Sequence, residues 1–137
     1  MSYETRDTLG IYRRYNEKHS GKPGPGPDLM GADTLIGDSV YNASGEDLGD
    51  IKEIMLDMHT GRVAYAVLSF GGFLGIGEKL FAVPWSALKL DTVQKAFVLD
   101  ASREQLRNAP GFDKDDWPDM SDPTWIQSVN SFYAPRH

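Results

Sequence analysis

Short apolar runs separated by turn-forming residues dominate the middle of the chain. Val40-Tyr41 precedes a run of Asn, Ala, Ser, Gly, Glu and Asp, and apolar and polar residues then alternate from Leu48 to Met58. Alternation with a period of two predicts a pair of β-strands here. The next residues, His59-Thr60-Gly61, predict a tight hairpin turn in which the glycine takes a positive φ angle.

The strand that returns from this hairpin, at 62–70, is apolar on both of its alternating sets of side chains. Both of its faces must therefore be covered. A glycine-rich loop follows at 71–77. The segment 79–84 predicts another strand, ended by a proline that cannot donate to a ladder. The segment 88–99 predicts a final hairpin that turns between Asp91 and Gln94.

Five or six short strands of this kind predict a mainly β fold, a small antiparallel β-barrel in which closure removes the exposed strand edges. Two short helices are predicted after the last strand. Ser102 and Gln105 have the spacing of a capping box, and Asp122 followed by Pro123 is typical of a second helix start.

The chain divides into three segments. Residues 1–32 form an N-terminal arm and a linker, because alternating proline and glycine at 21–27 permit neither a helix nor a ladder strand. Residues 33–100 hold the predicted barrel. Residues 101–137 form a C-terminal extension that is helical and rich in aromatic and acidic side chains.

Composition excludes several classes of site. The 137 residues include no cysteine, which excludes disulfides, thiolate metal sites and thiol nucleophiles. The net charge of −6 opposes binding to a phosphate backbone, and the basic residues are not segregated on the chain. No stretch has the apolar length of a signal peptide or a membrane span. We therefore expect a soluble, cytoplasmic protein with no transmembrane segment and no nucleic-acid partner.

No pattern indicates catalysis, and we expect no catalytic residue, cofactor or metal site. Gly72, Gly75 and Gly77 run in reverse order to a nucleotide-binding fingerprint and precede a strand instead of a helix. The three histidines lack a second ligand at metal-binding spacing. A cluster of carboxylates lacks the glycine and glutamate of a calcium loop, so we expect a solvated loop and keep cation binding as an alternative. This cluster comprises Asp113, Asp115, Asp116, Asp119 and Asp122.

Two groups of residues stand out by position. The first group is expected to fix turns or to close the barrel. Asp57 is an example, because a carboxylate at the end of a strand can accept hydrogen bonds from the backbone N–H groups of the turn that follows. The group comprises Gly49, Asp57, Gly61, Gly71, Gly72, Gly75, Pro84 and Trp85. The second is expected at an interaction surface, because undocked aromatic rings of the extension would expose a large apolar patch. It comprises Phe73, Leu74, Trp117, Trp125, Phe132 and Tyr133.

Residues 33–100 resemble a PRC-barrel domain, the small barrel of the cytoplasmic part of the photosynthetic reaction-centre H subunit; a related domain forms part of a ribosome-maturation factor. The resemblance rests on an ordered set of segments: Leu35-Ile36-Gly37, Gly45 to Gly49, Ile51 to Asp57, Thr60 to Tyr65, Gly71-Gly72 with Gly75, and Ala82 to Trp85. The extension, with Asp116-Trp117-Pro118-Asp119-Met120, resembles one found on stand-alone bacterial members.

The resemblance implies contacts and not catalysis, since known members mostly serve as docking or assembly modules. We therefore expect a non-enzymatic protein–protein interaction module that binds another protein, or a second copy of itself in a homodimer or higher oligomer. A ribosome or RNA-processing accessory factor is one alternative. A cation-binding protein that uses the acidic residues of the extension is the other.

Overall fold

The computed structural model describes residues 30–70, 79–91 and 96–134. Within these ranges the strands are β1 (Ser39–Tyr41), β2 (Asp47–Leu56), β3 (Val63–Phe70), β4 (Lys79–Pro84), β5 (Leu88–Asp91) and β6 (Ala96–Leu99). The helices are α1 (Ala32–Leu35), α2 (Arg103–Arg107) and α3 (Pro123–Phe132), and a 3₁₀ turn spans Trp85–Ala87. The fold is therefore mainly β with short helices.

The six strands form one mixed sheet in the order β4-β3-β2-β1-β6-β5. The pairs β1–β2, β2–β3, β3–β4 and β5–β6 are antiparallel, as the sequence predicts. The pair β1–β6 is parallel, with Val40 opposite Phe97, and here the expectation of an antiparallel sheet is wrong. β6 reaches β1 through a connection that contains four other strands, so no short hairpin forces the two to run in opposite directions.

The sheet forms a half-barrel with β4 and β5 at its two edges. In the described ranges no ladder joins these edge strands, so closure is not what protects them. At β4 the protection comes from the extension, because Phe112 forms an antiparallel bridge with Leu80. An edge paired in this way offers fewer free backbone groups to another chain.

The core is built from alternate residues of the strands, as the period-two pattern predicts. Leu106 of α2 completes it from the extension. The strand residues are Val40, Leu48, Ile51, Ala66, Leu68, Phe81, Val83, Phe97 and Leu99.

β3 is covered on both faces, which confirms the prediction from its two apolar sets. Ala66 and Leu68 belong to the core, and Val67, which points the other way, is also fully buried. α3 contacts β4, and its Trp125 ring meets the ring of Tyr65 with centroids 5.4 Å apart. The extension therefore covers the second face of this part of the sheet.

Side-chain caps set the starts of α2 and α3, and both predicted starts are confirmed. Ser102 and Gln105 form a complete capping box, in which each side-chain oxygen accepts the other residue's backbone N–H. Asp122 Oδ1 accepts the N–H of Thr124 at 2.9 Å, and Pro123 occupies the first turn. The single turn α1 is not predicted, because four residues show no helical periodicity.

Gly49 permits a close approach between β2 and β3. Its φ angle is +113°, and a Cβ atom at this position would overlap the carbonyl oxygen of Ser69. The register between β1 and β2 shifts beside it, which leaves Leu48 as an extra, fully buried residue. Only glycine fits this backbone.

Candidate interaction surface

The turn between β2 and β3 is fixed by Asp57 and Gly61. The N–H of His59 donates to Asp57 Oδ1 at 2.8 Å, and the N–H of Gly61 donates to the Asp57 carbonyl at 2.7 Å. Gly61 has a φ angle of +75°. The backbone N–H of His59 holds the pKa of the Asp57 carboxyl below its usual value. The geometry is that of the turn-fixing role predicted for both residues.

Exposed apolar side chains lie beside this turn. Leu56 pairs with Val63 across the hairpin and is 54% exposed, and Met58 is 88% exposed. The buried residues of β2, Leu48 and Ile51, lie in its first half, Ile54 packs only partly against the core, and Leu56 at the end of the strand is exposed. We refer to Leu56, Met58 and Val63 as the hairpin surface.

Pro84 and Trp85 lie at the end of β4. Pro84 is the last residue of the strand and pairs with Tyr65. Trp85 is partly buried against the core, and its ring meets that of Phe97 edge-on with centroids 5.6 Å apart. Five other predicted residues lie outside the described ranges, and the expectations for them stay predictions: Gly71, Gly72, Phe73, Leu74 and Gly75.

Three of the aromatic residues predicted at an interaction surface pack on the sheet. Trp125 contacts Tyr65, and Phe132 and Tyr133 pack against the core. Trp117, in contrast, keeps 43% of its surface exposed. The extension therefore covers part of the half-barrel and leaves one large aromatic ring accessible.

The Trp117 ring borders an open cleft of about 490 Å³, the Trp117 cleft. Its indole N–H donates to the carbonyl of Lys114 at 2.9 Å, and its centroid lies 4.9 Å from that of Phe112. These contacts hold the ring in one orientation. The residues that line the cleft are Lys79, Gly111, Phe112, Asp113, Asp116, Trp117 and Pro118.

Lys79 ties the extension to β4 at the side of this cleft. Its Nζ donates to the carbonyls of Arg107 and Ala109, at 3.0 and 3.2 Å. The ammonium also lies 4.9 Å from the ring centroid of Phe81. Arg107 is the last residue of α2, and a cation is favourable at the carbonyl end of a helix. Lys79 therefore acts as a tether between β4 and the extension, and two of its three ammonium hydrogens are engaged by these carbonyls.

Two of the clustered carboxylates have local structural partners. Asp119 accepts hydrogen bonds from the hydroxyl and the N–H of Ser121, which lower the pKa of its carboxyl, and Asp122 caps α3. Across the described ranges no three His, Asp or Glu side chains are grouped to hold a metal ion. No ligand set for the cation hypothesis is assembled in this part of the chain.

The hydroxyl of Tyr133 is buried and has no hydrogen-bond partner among the described residues. Burial raises the pKa of this phenol well above its usual value. An unpaired buried hydroxyl destabilises the fold by about 1–3 kcal/mol. No sequence pattern marks this group, because its surroundings come from packing between distant segments.

The hairpin surface and the Lys79 tether were not predicted from the sequence. Leu56 and Met58 continue the apolar alternation of β2, so the pattern alone assigns them to the core. Their exposure follows from where the core ends along the strand. Lys79 contacts a carbonyl 28 residues away, a distance over which no local pattern carries a signal.

One comparison with known proteins supports this fold, and a second finds no match. None of the helices in the described ranges is long and apolar enough to cross a membrane. No curated protein matches the chain. A family model described as the PRC-barrel domain matches residues 27–106, which is more than half of the 137 residues. The chain therefore belongs to the PRC-barrel domain family.

Proposed function

We propose that this chain is a non-enzymatic protein–protein interaction module of the cytoplasm. The observation that supports it most is the hairpin surface. Leu56, the last residue of β2, and Met58, two residues later in the turn, stay exposed although most large apolar side chains of the described ranges are buried or half-buried. Clustered apolar exposure of this kind marks contact sites in soluble domains.

The backbone beside the hairpin surface is already ordered before any partner binds. Asp57 and Gly61 hold the turn through backbone hydrogen bonds, so little ordering is needed when a partner docks. Met58 adds an unbranched, polarisable side chain that adapts to irregular apolar surfaces. The expected partner is a protein with a complementary apolar patch, either a different chain or a second copy of this one.

A cross-linking pull-down from the native cell tests the proposal. The wild-type chain is compared with Met58→Ser and with Leu90→Ser, a control change at an exposed leucine of the edge strand β5. We expect wild type and Leu90→Ser to recover one defined protein, and Met58→Ser to recover it several-fold less.

Sedimentation velocity on the purified chain shows whether that protein is a second copy. A chain that stays monomeric and recovers nothing from the cell contradicts the proposal. Equal recovery by Met58→Ser and Leu90→Ser also contradicts it, because the hairpin surface would then have no part in the contact.

A further inference from the structure

We propose that the Trp117 cleft is a second contact site that takes an arginine side chain from an extended, basic segment of a partner protein. This inference rests on the proposed function and adds the chemistry of one contact. It starts from the half-exposed indole ring, which is the largest accessible aromatic side chain of the described residues.

The Trp117 ring has a fixed orientation beside the cleft. Its N–H bond to Lys114 and its contact with Phe112 fix its orientation while one side borders the cleft. Tryptophan has the strongest attraction for cations among the aromatic residues, and a guanidinium stacks on its face. A fixed ring loses little conformational freedom when such a cation docks.

Two carboxylates lie beside the ring. The N–H of Asp116 donates to the carbonyl of Asp113 at 3.0 Å, so these residues stand at the first and fourth positions of one turn. The Cα atoms of such positions are within about 7 Å of each other. Both residues line the cleft and are exposed, so their carboxylates are accessible to a guanidinium, which carboxylates bind in a bidentate way.

The charge balance favours a cation over an anion. Lys79 is the one cationic residue among the described lining residues, and its ammonium already donates to two carbonyls of the extension. The rest of the charge on the cleft is negative. An anionic ligand such as a phosphate would meet two carboxylates and few free donors, whereas an arginine meets acceptors and an aromatic face.

Titration calorimetry and indole N–H NMR signals of the full chain test this site. The probe is a short glycine- and serine-rich peptide with three arginines, and the control peptide carries glutamine at those positions. We expect the arginine peptide alone to bind and to shift the Trp117 indole signal, while the signals of Trp85 and Trp125 stay in place.

Variants separate the site from general charge attraction. Asp116→Asn should weaken binding by about 1.5- to fivefold, the range expected for loss of one exposed ion pair. Asp115→Asn removes the same charge from the neighbouring residue, which does not line the cleft, and should leave the affinity unchanged. Trp117→Leu keeps an apolar side chain but loses the ring, and should weaken binding at least as much as Asp116→Asn.

The inference is overturned if Asp116→Asn and Asp115→Asn lose the same affinity for the arginine peptide, or if the Trp117 indole signal does not shift. A peptide of residues 1–22, which hold five basic side chains, tests the chain's own arm as occupant. Tighter binding of that peptide than of the arginine probe overturns the assignment to a separate partner. If the probe fails while Met58-dependent capture of a protein persists, the cleft assignment falls and the proposed function stands.

Discussion

Phe112 and Leu80 exchange two backbone hydrogen bonds of 2.8 Å each, which joins the extension to the edge of β4. The chain approaches this edge through Gly111, where a Cβ atom would lie 2.9 Å from the carbonyl oxygen of Leu80. Nearer the C-terminal end of the extension, Val129 of α3 is fully buried. The extension is therefore part of the folded domain, and deleting it would uncover both an edge and a face of the sheet.

Loss of the Lys79 tether should destabilise this attachment. Lys79→Met keeps the apolar stem and removes the donor to the carbonyls of Arg107 and Ala109. We expect the free energy of unfolding in urea to fall by about 1–2 kcal/mol. Lys89→Met, at an exposed position of β5, should change it by less than about 0.5 kcal/mol. Equal effects would show that the tether carries no stability.

Two glycines with positive φ angles should respond differently to alanine. Gly45 has open space around it, so Gly45→Ala should cost about 1–2 kcal/mol of backbone strain alone. Gly49→Ala adds the overlap with the Ser69 carbonyl and should cost more than about 3 kcal/mol or prevent folding. Chemical denaturation measures both. Similar losses at the two sites would contradict the close approach of β2 and β3.

Removing the unpaired hydroxyl of Tyr133 should stabilise the protein. We expect Tyr133→Phe to raise the free energy of unfolding at neutral pH by about 1 kcal/mol, because the buried oxygen has no partner among the described residues. A loss of stability in this variant would show that the hydroxyl is hydrogen-bonded in solution.

The same residue predicts an alkaline pH dependence. Burial raises the pKa of Tyr133 in the folded state, whereas an unfolded tyrosine ionises near about pH 10. Ionisation of this group leaves the free energy of unfolding unchanged below about pH 10 and lowers it as the pH rises further, since the unfolded chain then releases its proton first. Tyr133→Phe should show a shallower decline above pH 10. An unchanged slope would contradict the buried position.

Asp57 predicts a dependence at acid pH. The His59 N–H lowers the pKa of its carboxyl below 3.8, so its contribution to stability is present above that pH and is lost as the pH falls through the folded-state pKa. NMR titration of the carboxyl should place its midpoint below 3.8. Asp57→Asn should remove this part of the acid-induced loss, and Asp100→Asn, at an exposed position, should not. A midpoint above 3.8 would contradict the turn geometry.

Local patterns predicted the elements whose causes lie within a few residues. The capping box at Ser102, the Asp122 cap and the positive φ of Gly61 each depend on neighbours close in sequence. The alternation in β2, the tight turn at 59–61 and the apolar run of β3 predicted the antiparallel pairing of these two strands. The likeness of residues 33–100 to a PRC-barrel also predicted the family, which the family model confirms.

Features that depend on distant segments could not be predicted in this way. The parallel pairing of β6 with β1 follows from a long connection, and the Phe112 bridge joins residues 32 positions apart along the chain. The exposure of Leu56 and Met58 depends on where the core stops along β2. These three features depend on how the whole sheet assembles. They produce no hydrophobic periodicity from which they could be predicted.

Photo-cross-linking from position 58 in the native cell tests the central claim most directly. A benzophenone amino acid placed at Met58 keeps an apolar side chain on the hairpin surface, and the same group at the exposed residue Glu104 of α2 serves as control. We predict one discrete adduct of higher mass from position 58 and none from position 104. No adduct from position 58, or the same products from both positions, would contradict a role for the hairpin surface in binding a protein.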